Sequence, residues 1–283
     1  MPRQTRADYL AALKPILDMF RSGDIPEATE RTLLKEPDGN ERPIDRWSFN
    51  NQLLAWAART EDARTFKQWK TAGRHVLGPS DFRIWAPIMV PKETGHKGPD
   101  GKPLTRMILI GYRTIPEFRI ENTDGDPVPE HIDEPKPENA PPLMEVANVW
   151  KMNVIYAWAK DENLTTEFNG GVLLHSHDLV AFFSALAHEA HKRFKGADYK
   201  DVEGWKKKVV AEIATAALIQ HVGLDAGEPV HYPQIDAYAR EAGFEPLEAV
   251  LQTLRDVKGV MSQITTARAE AVMQSLAGLP EIK

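Results

Sequence analysis

The chain has 283 residues, 42% hydrophobic and 27% charged, with a net charge of −6 and no cysteine. That length fits two modest domains, each able to bury a core. The missing cysteine excludes disulfides, thiolate metal sites and a cysteine nucleophile, so any metal must be held by His, Asp or Glu.

Ala7 to Ser22 predicts an amphipathic helix, with Tyr9, Leu10, Leu13, Ile16, Leu17 and Phe20 at helical spacing. A polar, proline-containing stretch follows to about Pro43. Residues 48–59 and 64–76 predict two further helices, and Gly78-Pro79 ends the second. Phe82 to Val90 is rich in β-formers, Lys92 to Pro103 reads as a hairpin loop, and residues 107–112 and 114–120 read as strands. Residues 121–142 hold six of the 21 prolines among many acids, the composition of a linker. Beyond it the pattern predicts a helix near 143–152 and strands at 154–159 and 172–175, with a turn at Gly170-Gly171. Helices are expected at 179–195, 203–222, 233–242 and 246–278, the last of them broken.

The expected fold class is α+β in two domains. Residues 1–120 would set helices on a small mixed sheet, 121–142 would link, and 143–283 would be mostly helical. No apolar run approaches the roughly 18 residues that span a bilayer. The N-terminus has no signal-peptide core, so a cytoplasmic location without a membrane partner is expected.

Charge is unevenly placed. Between Arg46 and Arg113 stand twelve Lys/Arg against five Asp/Glu, whereas Glu117 to Glu145 holds two against nine. A phosphate backbone responds to local charge within a Debye length of about 8 Å, so the basic block matters more than the acidic total. Single strands are bound by cations tracking phosphates and aromatics stacking on bases. The block offers Lys67, Lys70, Arg74, Arg83, Arg106 and Arg113 as cations, with Trp69, Trp85 and Tyr112 between them. Trp69 and Trp85 also recur with the periodicity of core residues. Asn50 and Asn51 stand in an otherwise apolar helix, where either could meet a base edge, a phosphate or buried backbone. No phosphate-binding glycine loop or serine-nucleophile elbow is present.

Several segments, in order, resemble the ArdC-type antirestriction proteins. These are Trp47-Ser-Phe-Asn-Asn-Gln-Leu-Leu54, Phe66-Lys-Gln-Trp-Lys-Thr-Ala-Gly-Arg-His-Val76, Ile84-Trp-Ala-Pro87, Gly111-Tyr-Arg-Thr-Ile-Pro-Glu-Phe118 and Asn122-Thr-Asp-Gly-Asp-Pro127. A weaker likeness runs to the end through Ala187 to His191, Ala211 to Ala214 and Val257 to Val272. The resemblance implies an N-terminal domain that binds single-stranded DNA, a C-terminal zincin-like metallopeptidase domain, and protection of DNA arriving on a mobile element.

Such a peptidase carries His-Glu-x-x-His on a helix, both histidines on zinc and the glutamate as general base, with a third ligand from a later helix. This sequence reads His188-Glu189-Ala190-His191-Lys192, a spacing of three. In an α-helix His191 then lies about −60° from His188 and Glu189 about +100°. His188 and His191 could share a metal, with Glu212 as the third ligand that the resemblance implies, but Glu189 would point away. Lys192 could instead neutralise Glu212. The apolar stripe of Leu179, Phe182, Phe183, Leu186, Ala190 and Phe194 places both histidines on the opposite flank. His175 and His177 share one side of a strand end. The expected function is single-stranded DNA binding with a degenerate peptidase domain, with zinc and no cofactor both open. The alternatives are an active zinc peptidase cutting a DNA-handling protein, and a DNA mimic that blocks a restriction enzyme through its acidic 117–145 stretch.

Overall fold

The computed structural model describes residues 6–34, 42–97, 103–128, 143–157, 167–168, 171–175, 179–226, 231–243 and 245–277. Residues 98–102 of the expected hairpin loop, most of the expected linker, Gly170 and His177 lie outside the described residues. The chain opens with α1 (Arg6–Ala12), α2 (Lys14–Ser22) and α3 (Ile25–Leu33), then a 3₁₀ turn at Pro43–Arg46 and α4 (Phe49–Ala57). It continues through β1 (Ala63–Arg64), α5 (Phe66–Thr71), β2 (Arg74–Val76), β3 (Phe82–Lys97), β4 (Pro103–Arg119) and β5 (Thr123–Gly125). After α6 (Met144–Val149) come β6 (Asn153–Ala157), β7 (Glu167–Phe168) and β8 (Gly171–His175). The last helices are α7 (Leu179–Lys195), α8 (Gly204–His221), α9 (His231–Ala242) and α10 (Pro246–Ala277). The architecture is α+β.

Two compact units result, Met1–Ile16 with Gly39–His131, and Leu17–Asp38 with Ile132–Lys283. Residues 17–38, expected in the first domain, belong to the second unit. The cause is α3, which packs on α8. Its nine residues are mostly polar, but Ile25, Pro26, Ala28 and Thr29 are buried. Pro26 suits the first turn, where its missing N–H costs nothing. Glu30 Oε1 lies 3.0 Å from His221 Nδ1 of α8.

In the first unit β3 and β4 form one long antiparallel ribbon. The two strands read at 107–112 and 114–120 are a single strand. Pairing runs from Phe82–Glu117 to Ile88–Gly111, then resumes at Met89–Leu109, so Ile110 is the extra residue of a bulge. β1 adds to the free side of β4, while β2 and β5 form a separate pair.

The other edge of β3 is closed by a side chain. Asn51 of α4 is 6% exposed, its Nδ2 donates to the Trp85 carbonyl at 2.8 Å, and its Oδ1 accepts the Trp85 N–H at 3.0 Å. Asn51→Leu is expected to destabilise the protein by about 2–3 kcal/mol, because a buried donor and acceptor are left unpaired. Urea unfolding at constant m-value measures this; an unchanged midpoint would mean that water satisfies Trp85.

In the second unit α7, α8 and α10 enclose a core built from Phe182, Phe183, Leu186, Val210, Ile213, Leu218, Leu254, Val257, Met261 and Ile264. β6 pairs parallel to β8, and β7 pairs antiparallel to it. The expected break in α10 does not occur; the helix runs through 32 residues. Gly259 interrupts nothing but sits under the Phe194 ring of α7, where a Cβ would come within 2.5 Å of it. No described helix is long and apolar enough to cross a membrane.

Candidate functional site

The structure divides the residues proposed to meet DNA. Four of them serve the fold. Asn51 is spent on the β3 edge. Trp69 is 0% exposed and its Nε1 donates to the Phe118 carbonyl at 2.7 Å, so it is core and not a stacking platform. Trp85 is buried at 8%, edge-on to Tyr9 with ring centres 4.9 Å apart. The Arg74 guanidinium donates to Thr123 Oγ1 at 2.8 Å, to the Thr123 carbonyl at 2.9 Å and to the Asp126 carbonyl at 2.5 Å. It clamps β2 to β5.

The others reach solvent. Lys67 and Lys70 are exposed on α5. Alternation along the ribbon puts Arg83, Trp85 and Tyr112 on one face, and Arg106 and Arg113 on the other. Arg83 Nε donates to Thr114 Oγ1 at 3.1 Å, which steadies it beside Trp85. Tyr112 is 49% exposed. Tyr9 lies between the two rings, 6.2 Å from Tyr112, and is hydrogen-bonded to half-buried Asn50. Burial raises the Tyr9 pKa, and that bond lowers it in part. In the sequence Tyr9 shows only as one member of an apolar stripe.

Nothing in the local sequence marks Glu117 as buried either. It is 2% exposed on β4, and its Oε2 has no hydrogen-bond partner among the described residues. Burial pushes its carboxyl up to about 8.

On α7 the two histidines part company. His188 is exposed, while His191 is 0% exposed. The expectation that both lie on the flank away from the core is corrected: a turn of about 60° from His188 carries His191 inward, beside Ala190. There its Nε2 lies 3.5 Å from Asp256 Oδ2 of α10, and its ring meets Tyr199 edge-on at 5.3 Å. Asp256 is itself 0% exposed and also receives Lys195 Nζ at 2.8 Å and Lys206 Nζ at 3.0 Å. Burial pushes the Asp256 carboxyl up, but the close approach of His191, Lys195 and Lys206, with the Lys206 charge, outweighs it and holds the group below the usual carboxylate range.

Glu189, the position of the general base, pairs with Arg193 at 2.8 Å and Lys192 at 3.8 Å. Glu212 stands 3.8 Å from Lys208; burial raises its pKa and Lys208 lowers it in part. Lys192 thus pairs within α7 and not with Glu212. A structural or catalytic zinc needs at least three converging protein ligands. Among the described residues no three His, Asp or Glu side chains converge in that way. His188, His191 and Glu212 are held apart: His188 is exposed, His191 is buried beside Asp256, and Glu212 lies against Lys208.

No protein-family model and no curated protein sequence matches the chain. Solved structures do. The metal-free crystal structure of the antirestriction ArdC protein from the R388 plasmid is similar with a TM-score of 0.59 at 13% identity, over 93% of this chain and 98% of that one. Its Mn(II)-bound structure is similar with a TM-score of 0.52 at 14% identity, over 92% and 97%. Across nearly its whole length, this chain has the fold of the ArdC antirestriction protein.

Proposed function

We propose that this protein binds single-stranded DNA and acts in the cytoplasm as an antirestriction or DNA-transfer accessory protein, with a metallopeptidase-like domain that has lost its chemistry. The fold it shares with ArdC supports the antirestriction role. The observation that carries the DNA reading is exposed Tyr112 with Arg83 on one ribbon face, backed by Arg106 and Arg113 on the other. A restriction enzyme, or another protein that handles the same DNA, is the partner it would counter.

Fluorescence anisotropy with a labelled oligonucleotide tests the DNA reading. Log affinity should fall linearly with log salt, by about 0.7 per phosphate neutralised. Arg83→Ala with Arg113→Ala should flatten that slope by about one or two contacts. Affinity that ignores salt would defeat the proposal.

The Mn(II)-bound ArdC structure favours a second reading, an active metallopeptidase with zinc or another divalent ion. The pairing of Glu189 with Arg193 and of His191 with Asp256 weighs against it. The expected result is that neither EDTA nor added Zn²⁺ shifts the melting temperature, and that His188→Ala leaves the metal content unchanged. Near-stoichiometric metal lost in His188→Ala, with cleavage abolished by chelation and by Glu189→Gln, would establish the peptidase instead.

A further inference from the structure

Past the Ile88–Gly111 pair the β3–β4 ribbon continues as a two-stranded arm, and its two faces differ. At about 3.3 Å per residue, the stretch from Pro87 to Glu93 spans roughly 20 Å. One face pairs Pro87 with Tyr112, Met89 with Leu109 and Pro91 with Met107. Met89 is 41% exposed, Leu109 and Tyr112 49%, and Met107 57%. Scattered exposed apolar side chains are ordinary, but a contiguous run in register marks a contact surface. The opposite face carries exposed Lys92, Arg106 and Arg113 around half-buried Ile88, Val90 and Ile108. Among the described residues none of these three cations is ion-paired, and Glu93 is the one carboxylate of the arm.

The chemistry selects among occupants. Pro87 and Pro91 deprive the β3 edge of two N–H donors, which disfavours growth of the sheet by an added strand. A second copy of this chain would bring the same cations and no charge complement. A single nucleic-acid strand supplies both halves of the match: flat apolar base faces and a line of anions. The ribbon is two strands wide, about 5 Å between backbones, so long basic side chains behind it reach past its edges.

We infer that the arm grips single-stranded nucleic acid, with unstacked bases on Met89, Met107, Leu109 and Tyr112 and phosphates met by Arg106 and Arg113. This rests on the single-strand reading above and adds to it the surface and the base-contacting mode. Apolar contact with bases is sequence-tolerant, and its energy does not depend on counterion release.

The test compares wild type with a Met107→Ser, Leu109→Ser double variant. Each binds a thymidine oligonucleotide and an abasic one of equal length, at several salt concentrations. Both positions are exposed, so an unchanged melting temperature verifies the fold. The double variant should lose about tenfold in affinity for the thymidine strand, keep the wild-type salt slope, and match wild type on the abasic strand. Equal binding of the thymidine strand by both proteins would overturn the arm inference while the single-strand reading stands. Salt-independent or absent binding by wild type would remove the reading and the inference together. A wild-type dimer in sedimentation that the double variant dissociates would overturn the inference in favour of a protein interface.

Discussion

Asp256→Ala is expected to destabilise the second unit by about 3–5 kcal/mol, the cost of leaving buried cations without their counter-charge. Asp256 is 0% exposed, and the Lys195 and Lys206 side chains that converge on it are 17% and 10% exposed. Both lysines are thus largely withdrawn from water where they meet the carboxylate. Replacing the three charged side chains together, Asp256→Leu with Lys195→Met and Lys206→Met, should recover part of the loss, since apolar groups of similar volume carry no desolvation penalty while buried His191 stays behind without its partner. Equilibrium urea unfolding of the single and triple variants measures both. A single-variant loss below about 1 kcal/mol would show that the lysines are solvated and that the cluster is weak. The acid side follows from the depressed carboxyl. Its contribution is complete above the unfolded value of about 3.9 and disappears as pH falls below it toward the folded pKa.

Glu117→Gln should have the opposite sign. Burial holds this carboxyl at about 8, so at neutral pH it is protonated in the folded protein and ionised in the unfolded chain. Folding takes up a proton, and stability therefore declines as pH rises from about 4.3 to about 8. Glutamine keeps the shape and never ionises. The variant should match wild type near pH 4 and exceed it by about 3–5 kcal/mol at pH 8, at 1.36 kcal/mol per pKa unit. Unfolding midpoints across that range decide the matter. A difference constant with pH would show that Glu117 does not titrate there.

The sequence carried the α+β class and the basic block because both rest on local pattern: periodicity for helices, β-formers for the ribbon, and counted charge. It could not separate cations that face solvent from those that hold the fold. Arg74 is the example. Its partners Thr123 and Asp126 stand 49 and 52 residues away, and nothing near Arg74 announces them. Trp69 and Trp85 were ambiguous because a stacking platform and a core residue share one periodicity. The error at His191 had a readable signal. Asp256 sits in α10 in phase with Thr253, Val257 and Val260, all buried. A carboxylate at a core position demands cationic partners. His191, Lys195 and Lys206 were the candidates, but choosing them requires knowing which helices meet. α3 escaped notice for a related reason: its apolar stripe is too narrow to stand out until α8 covers it.

The amide of Asn51 does more than close an edge. By holding both backbone groups of Trp85, it fixes the phase of everything further along β3. Side chains on a strand alternate with a period of two, so this one contact decides which residues of the arm look forward and which look back. A single residue inserted between Trp85 and Ile88 would leave the clasp intact and exchange the faces beyond it on β3. Met89 would then take the place of Val90, on the face that now carries Lys92, and Lys92 would move to the face that now carries Met89. The recognition surface of the arm is thus indexed from a helix at its root.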